Sequence, residues 1–285
     1  MAIQTVAVIG AGIMGRGIAY AAALGGFRTL IQDASGEALD KATAEISAVL
    51  EKGVVTGKVA GDAAAAALKR LGAVRSLDDA ARGADLVIEA VPEKIELKLE
   101  IFARLDRVSP PHAILASNTS SLSITEIAAA TGRPKQVVGM HFFNPVHRMR
   151  LLEIVRALET GEETLAAACA TGERMGKECV VVRESPGFVT SRINAMIGNE
   201  AFYLLEEGVA SARDIDRALK LGLNHPMGPF ELVDLVGLDT RLAILRFLHR
   251  TLGEKFRPCP LIEQYVAAGR LGRKAGRGVY EYGAS

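Results

Sequence analysis

The chain begins its pattern with Thr5-Val-Ala-Val-Ile9, a β-branched run without polar alternation, as expected of a strand buried on both faces of a parallel sheet. Gly10-Ala-Gly12-Ile13-Met14-Gly15 follows at once, then an Ala-rich segment through Ala23 that stops at Gly25-Gly26, which predicts a helix. Arg28-Thr-Leu-Ile-Gln-Asp33 predicts a second strand that ends in an acid. From Ser35 to Arg70 the chain is rich in Ala and Lys and is interrupted between Gly53 and Lys58, which predicts a protruding pair of helices. Further strands are predicted at 84–89, 113–117 and 136–141, with a charged amphipathic helix from Pro92-Glu93 through Leu105. Met149 to Val155 is a strand-like apolar run holding one acid, Glu153. After Pro186-Gly187 the period changes, because apolar residues recur three and four apart, as at Ile193, Ile197, Ala201 and Leu204. Helices are predicted at 191–207, 211–221, 228–237, 239–252 and 260–268. Alternating strands and helices predict an α/β Rossmann-type doubly wound sheet over residues 1–186, followed by an all-α C-terminal domain over 187–285.

Composition narrows the function classes. The chain has 285 residues, 34 Lys+Arg against 33 Asp+Glu, and 49 % hydrophobic residues, which excludes global disorder. A net charge of +1 argues against a nucleic-acid surface. Cys169, Cys179 and Cys259 form no C-x-x-C pair, so neither a disulfide framework nor a metal site is expected, and a reducing cytoplasm is the economical setting. No apolar run approaches the ~18 residues of a membrane span. Gly53 to Lys58 falls one residue short of a phosphate loop, and Val59 stands where magnesium would need a hydroxyl. The 29 glycines exceed the ~7 % average, which directs attention to where they sit.

Three of them form G-x-G-x-x-G between a strand and a helix. Gly10 permits the tight turn, Gly12 lets backbone approach a pyrophosphate, and Gly15 lets the helix pack against the strand. The helix N-terminus offers N–H groups to the phosphates. Asp33, 18 residues after Gly15, suits the adenosine ribose hydroxyls and repels a 2′-phosphate, so NAD is expected rather than NADP. Ligands of such sheets bind beyond the carboxyl ends of the strands, where two further polar groups lie. Ser117-Asn-Thr-Ser-Ser121 holds more hydroxyls than helix capping needs, although Ser121 or Ser123 can cap 124–130 with Glu126 completing a box. His141, in His141-Phe-Phe-Asn144-Pro145, is either a core histidine or a general base, with Glu153 its natural partner. A carboxylate on one ring nitrogen fixes the tautomer and leaves the other to take a hydroxyl proton, while NAD takes the hydride. His147 competes from a loop, whereas His112 and His249 read as solvated.

Together, Val8 to Gly15, Glu89-Ala-Val-Pro-Glu93, Ser117 to Leu122, Gly139-Met-His-Phe-Phe-Asn-Pro-Val146, Ser185-Pro-Gly-Phe-Val189, His225-Pro-Met-Gly-Pro-Phe230 with Leu232 to Asp239, and Gly272-Arg-Lys-Ala-Gly276 resemble the 3-hydroxyacyl-CoA dehydrogenase family over almost the whole chain. The resemblance implies NAD-dependent oxidation of an (S)-3-hydroxyacyl-CoA to the 3-oxoacyl-CoA, or the reverse, on a short chain such as 3-hydroxybutyryl-CoA. It implies catalytic roles for His141, Glu153 and Ser120, and a cofactor site of Gly10, Gly12, Ile13, Met14, Gly15, Asp33, Glu93, Lys98, Ser120, Asn144 and Lys274. Lys52 and Lys58 on the helical pair would meet CoA phosphates. The helical domain would close one side of the active site and carry a homodimer contact. One departure stands out: Ser191 occupies a position where the family commonly has Asn, with one donor instead of two, and Asn194 is the nearest substitute one turn on. A dehydrogenase of a non-CoA hydroxy or sugar acid, or a silent crystallin-like NAD-binding relative, would share much of this pattern.

Overall fold

The structure is a computed structural model that describes residues 3–283. Eight strands form one sheet: β1 Thr5–Ile9, β2 Arg28–Gln32, β3 Leu71–Val74, β4 Leu86–Glu89, β5 Ile114–Ser117, β6 Val137–Phe142, β7 Leu151–Arg156 and β8 Glu178–Arg183. Their spatial order is β3-β2-β1-β4-β5-β6-β7-β8, with β1 to β6 parallel, β7 antiparallel to β6, and β8 parallel to β7. The first six strands thus have the order of a doubly wound dinucleotide fold, with the strand order reversing between β1 and β4. Val6, Ala7, Val8 and Ile9 are all buried because helices cover both faces of the central strands, which is why the run lacks alternation.

Helices α1 Ile13–Leu24, α2 Gly36–Val55, α3 Gly61–Arg70, α4 Leu77–Ala81, α5 Ile95–Val108, α6 Ile124–Ala129 and α7 Glu162–Arg174 flank this sheet. The expected helical pair is α2 and α3. In α2 the stripe Leu39, Ala42, Ile46 and Leu50 is buried, and Ser35 caps the N-terminus by accepting from the Ala38 N–H at 3.2 Å. Ser123 is the cap of α6, accepting from Glu126 N–H at 3.0 Å. Four elements exceed what the pattern predicts. The strand β3 and the helix α4 are short, β8 lies at the sheet edge, and α7 packs beside it, where solvent on one side blurs the apolar signal.

The chain divides into two compact units between Ser185 and Pro186. The second is helical: α8 Thr190–Glu206, α9 Ala212–Gly222, α10 Pro229–Val236, α11 Leu238–Leu252 and α12 Pro260–Ala267. Its core gathers Phe202, Phe230, Leu245, Leu248, Phe256 and Ile262, with Phe202 edge-on to Phe230 at 5.2 Å. Ser211 caps α9 by accepting from Asp214 N–H. Two buried acids then fasten the C-terminal segment. Asp234 accepts from Val279 N–H, Tyr280 N–H and Tyr282 O–H, while Asp216 accepts from Phe230 N–H, Glu231 N–H and Tyr280 O–H. Burial pushes the Asp216 carboxyl above the usual carboxylate range, despite those three donors.

Candidate active site

The glycine turn joins β1 to α1 at the carboxyl edge of the sheet. Gly10 has φ +102° and donates to the Gln32 carbonyl at 2.7 Å, and a side chain there would meet the Ala90 carbonyl at 2.8 Å. A Cβ at Gly15 would lie 1.7 Å from the Gly10 oxygen, so turn and helix are in backbone contact. At Gly12 a Cβ meets nothing within 4 Å. Gly12 also caps α1 with no side-chain bond, and the first turn holds no acid. Bare backbone and unclaimed helix amides therefore face open space, which fits an anionic group such as a pyrophosphate. Ile13 is exposed beside this turn and Met14 half-buried. Asp33, just past β2, accepts from Ala11 N–H at 2.9 Å and Ser35 N–H at 3.0 Å, which ties the acid to the turn. The Arg75 guanidinium, far off in sequence, donates to the carbonyl of the next residue, Ala34, at 3.3 Å.

At the ends of β4 and β5 lies a polar network of which the sequence identified only part. Lys98, on α5, is fully buried, with Nζ 2.7 Å from Glu89 Oε1 and 3.3 Å from Glu93 Oε2. Glu89, also fully buried, accepts from Val91 N–H at 2.7 Å and Ser117 O–H at 2.6 Å. Glu93 Oε1 in turn accepts from the Thr119 hydroxyl, from Ser120 N–H at 3.1 Å, and at longer range from the Ser120 and Ser121 hydroxyls. Asn118 accepts from Phe142 N–H at 2.9 Å and so joins the ends of β5 and β6. The missed member is Glu89. Its signal was a carboxylate ending an otherwise apolar strand run, nine residues before a lysine.

His141 and Glu153 stand directly opposite each other on the antiparallel pair β6 and β7. The imidazole Nδ1 is 2.7 Å from Glu153 Oε2, with His141 7 % and Glu153 1 % exposed. A carboxylate offers acceptors alone, so Nδ1 carries the proton of this bond. The Phe143 ring packs on the imidazole with centroids 4.4 Å apart. Because β1 to β6 are parallel, His141 near the end of β6 shares the sheet edge with the glycine turn and Ser120. Asn144 follows in the loop and is exposed, bordering a small cavity with Ile13, Gly17 and Tyr20.

Lys52 and Lys58 line a cavity of about 800 Å³ together with Arg148, Lys177 and His147. Burial, followed by the charges of Arg148, Lys177, Lys52 and Lys58, holds the His147 imidazole below its ordinary value. Lys177 is itself lowered by burial while donating to the Val146 and Met149 carbonyls. The result is a cationic recess that the near-zero net charge conceals. Two expected residues belong to the helical unit: Ser191, half-buried in the first turn of α8, and Lys274, whose Nζ lies 2.7 Å from both Asp239 carboxylate oxygens. His112 and His249 pair with Asp85 and Glu254 on the surface. Among the described residues there is no grouping of His, Cys, Asp and Glu fit for a metal, and no helix is long and apolar enough to cross a membrane.

Comparison with known proteins gives one answer along the whole length. The family model described as 3-hydroxyacyl-CoA dehydrogenase, NAD binding domain, matches residues 5–185, and that of the C-terminal domain of the same enzymes matches residues 187–282. A probable 3-hydroxybutyryl-CoA dehydrogenase of Bacillus subtilis is 48 % identical over 99 % of this chain and 98 % of its own. A 3-hydroxybutyryl-CoA dehydrogenase of Bradyrhizobium diazoefficiens is 47 % identical over 98 % of this chain and 96 % of its own. Among solved structures, an (S)-3-hydroxybutyryl-CoA dehydrogenase from Ralstonia eutropha superposes with a TM-score of 0.96 at 44 % identity, covering 99 % of this chain and all of that one.

Proposed function

The chain belongs to the 3-hydroxyacyl-CoA dehydrogenase family and is an NAD-dependent oxidoreductase, and on that premise we propose that it oxidises (S)-3-hydroxybutyryl-CoA, or reduces the 3-oxo product, with His141 as general base. The observation that carries this reading is the buried His141–Glu153 pair, 2.7 Å apart at the edge where the glycine turn opens. Glu153 accepts from Nδ1 and holds the ring so that Nε2 takes the C3 hydroxyl proton, or returns it in the reverse direction. Ser120, on the loop held by Glu93, contacts the substrate and the nicotinamide region. Gly10, Gly12, Ile13, Met14 and Gly15 form the pyrophosphate cradle and Asp33 holds the ribose hydroxyls, with Asn144 and Glu93, itself held by Lys98, on the nicotinamide side. Bound NAD supplies the hydride acceptor. Lys52 and Lys58 take the CoA phosphates in the cationic recess. The homodimer contact is assigned to the helical unit, where Ile193, Met196, Leu221 and Leu223 leave apolar surface exposed. Three free thiols support a cytoplasmic setting.

NADH consumption with acetoacetyl-CoA tests the reading. His141→Gln and Glu153→Gln should each lower kcat by about 10²–10⁴-fold, the range of general-base catalysis, with NADH affinity nearly unchanged. Near-normal turnover in both variants refutes the assignment. Equal efficiency with free acetoacetate would place the substrate outside the thioesters.

A further inference from the structure

The geometry points to Glu89 as a positioning residue of the reaction, which sets the substrate-contacting loop residue Ser120 through Lys98 and Glu93. This rests on the dehydrogenase reading above and adds a residue that contacts neither substrate nor cofactor in it. A carboxylate and an ammonium, both fully shielded from water, make a costly arrangement, since an apolar pair of similar volume would often hold the fold as well. The arrangement has a direction, however. Glu89 engages Lys98 at 2.7 Å, which leaves the longer 3.3 Å contact from Lys98 to Glu93 Oε2. That division lets Glu93 keep its other oxygen, Oε1, for Thr119, Ser120 and Ser121.

With Glu89 neutral, Lys98 would have one carboxylate, Glu93, to neutralise it. Glu93 would be drawn toward the ammonium, and the Ser120 amide and hydroxyl would lose their acceptor. Glu89 also fixes the strand ends from which the loop departs, through Val91 N–H on one side and the Ser117 hydroxyl on the other. Ser120 is therefore set by a chain of charge-assisted bonds that starts at the end of the neighbouring strand β4 and runs through Lys98 on α5.

A double-mutant cycle between Glu89→Gln and Ser120→Ala tests this, read by steady-state kinetics and by hydrogen exchange of the 118–122 amides in the whole protein without substrate. Glu89→Gln should lower kcat at least tenfold while KM for acetoacetyl-CoA and the NADH dissociation constant move less than about threefold, the pattern of an interaction expressed in the transition state. The double variant should be no slower than Ser120→Ala alone, and exchange at 118–122 should quicken in Glu89→Gln. Multiplicative effects, wild-type turnover, or unchanged exchange overturn the proposal. Glu89→Gln/Lys98→Met removes both buried charges and serves where the single variant does not fold. Kcat that stays low with a restored Tm supports positioning, and recovery of both reduces Glu89 to a structural charge. A wild-type enzyme inactive on acetoacetyl-CoA refutes the substrate reading alone, because the exchange measurement still judges Glu89.

Discussion

Two of the three glycines in the turn between β1 and α1, alike in sequence, should fail in opposite ways. At Gly12 an alanine methyl projects into open space, with φ −67° and ψ −172° already suited to any residue. Replacing Gly by Ala there gains ~0.4–1 kcal/mol by restricting the unfolded chain. Alanine is a poorer N-cap than glycine by a similar amount. The two effects offset, so Gly12→Ala should leave stability unchanged to within about 0.5 kcal/mol. The same methyl occupies the space where backbone must approach the pyrophosphate. Losing one charge-assisted bond of ~1.5–3 kcal/mol corresponds to about a tenfold to hundredfold rise in the NADH dissociation constant. At Gly15 the methyl would sit 1.7 Å from the Gly10 oxygen, half the separation of ordinary contact. Backbone must move, and the cost should reach or exceed the ~1–3 kcal/mol of an overpacked core. Each kcal/mol lowers Tm by about 2–4 °C in a domain of this size. Thermal unfolding and NADH fluorescence titration of both variants decide the matter. A stable Gly12→Ala protein that binds NADH as tightly as the wild type refutes the placement of the pyrophosphate at this turn.

Two further measurements probe the recognition of each end of the ligands. Asp33→Ser removes the acid that repels a 2′-phosphate while Arg75 remains bonded to the neighbouring Ala34 carbonyl, so the NADH-over-NADPH preference in kcat/KM should fall at least tenfold. An unchanged preference would show that Asp33 does not face the ribose. For His147, burial first and then four cations lower the folded value below that of the unfolded chain. Its contribution to stability is therefore complete above the ordinary value near ~6.5 and is lost as pH falls through the folded value. Saturating CoA should raise its NMR titration midpoint, because phosphate in the recess opposes Lys52, Lys58, Arg148 and Lys177. A midpoint unmoved by bound CoA places the phosphates elsewhere.

The parts of the fold legible in the sequence are those in which one physical demand acts on consecutive residues. Both faces of β1 are buried, so each of its central positions must be apolar, and the glycine turn that follows must be tight. β8 is an edge strand with Val180 and Val181 half exposed, and its six residues resemble many loops. Contacts between distant positions were harder to read. Nothing adjacent to Asp33 announces Arg75, 42 positions later, because the crossover from β2 through α2 and α3 to β3 brings them together. Nor does the composition reveal the recess around Lys52 and Lys58. Its cations are collected from α2, from the loops after α2 and β6, and from the segment before β8, while compensating acids lie on other surfaces.

The His141–Glu153 pair shows where legibility ends and for what reason. Twelve residues separate the two, and both lie in apolar runs, so a buried acid seeking a partner pointed to the histidine. The connection supplies a stronger argument. Only the eight residues 143–150 lie between β6 and β7, and a parallel return needs a crossover of a dozen or more. The short connection therefore demands an antiparallel neighbour in a sheet whose preceding strands are all parallel. Antiparallel pairing alternates residues directly across from each other at a separation that side chains can bridge. The reversal at β7 thus places a carboxylate directly opposite the histidine, level with the edge where the glycine turn opens. A parallel β7 would have begun at the opposite edge, and its first acid would have faced the amino ends of the strands. The strand that breaks the pattern of the sheet is the one that completes the His141–Glu153 pair.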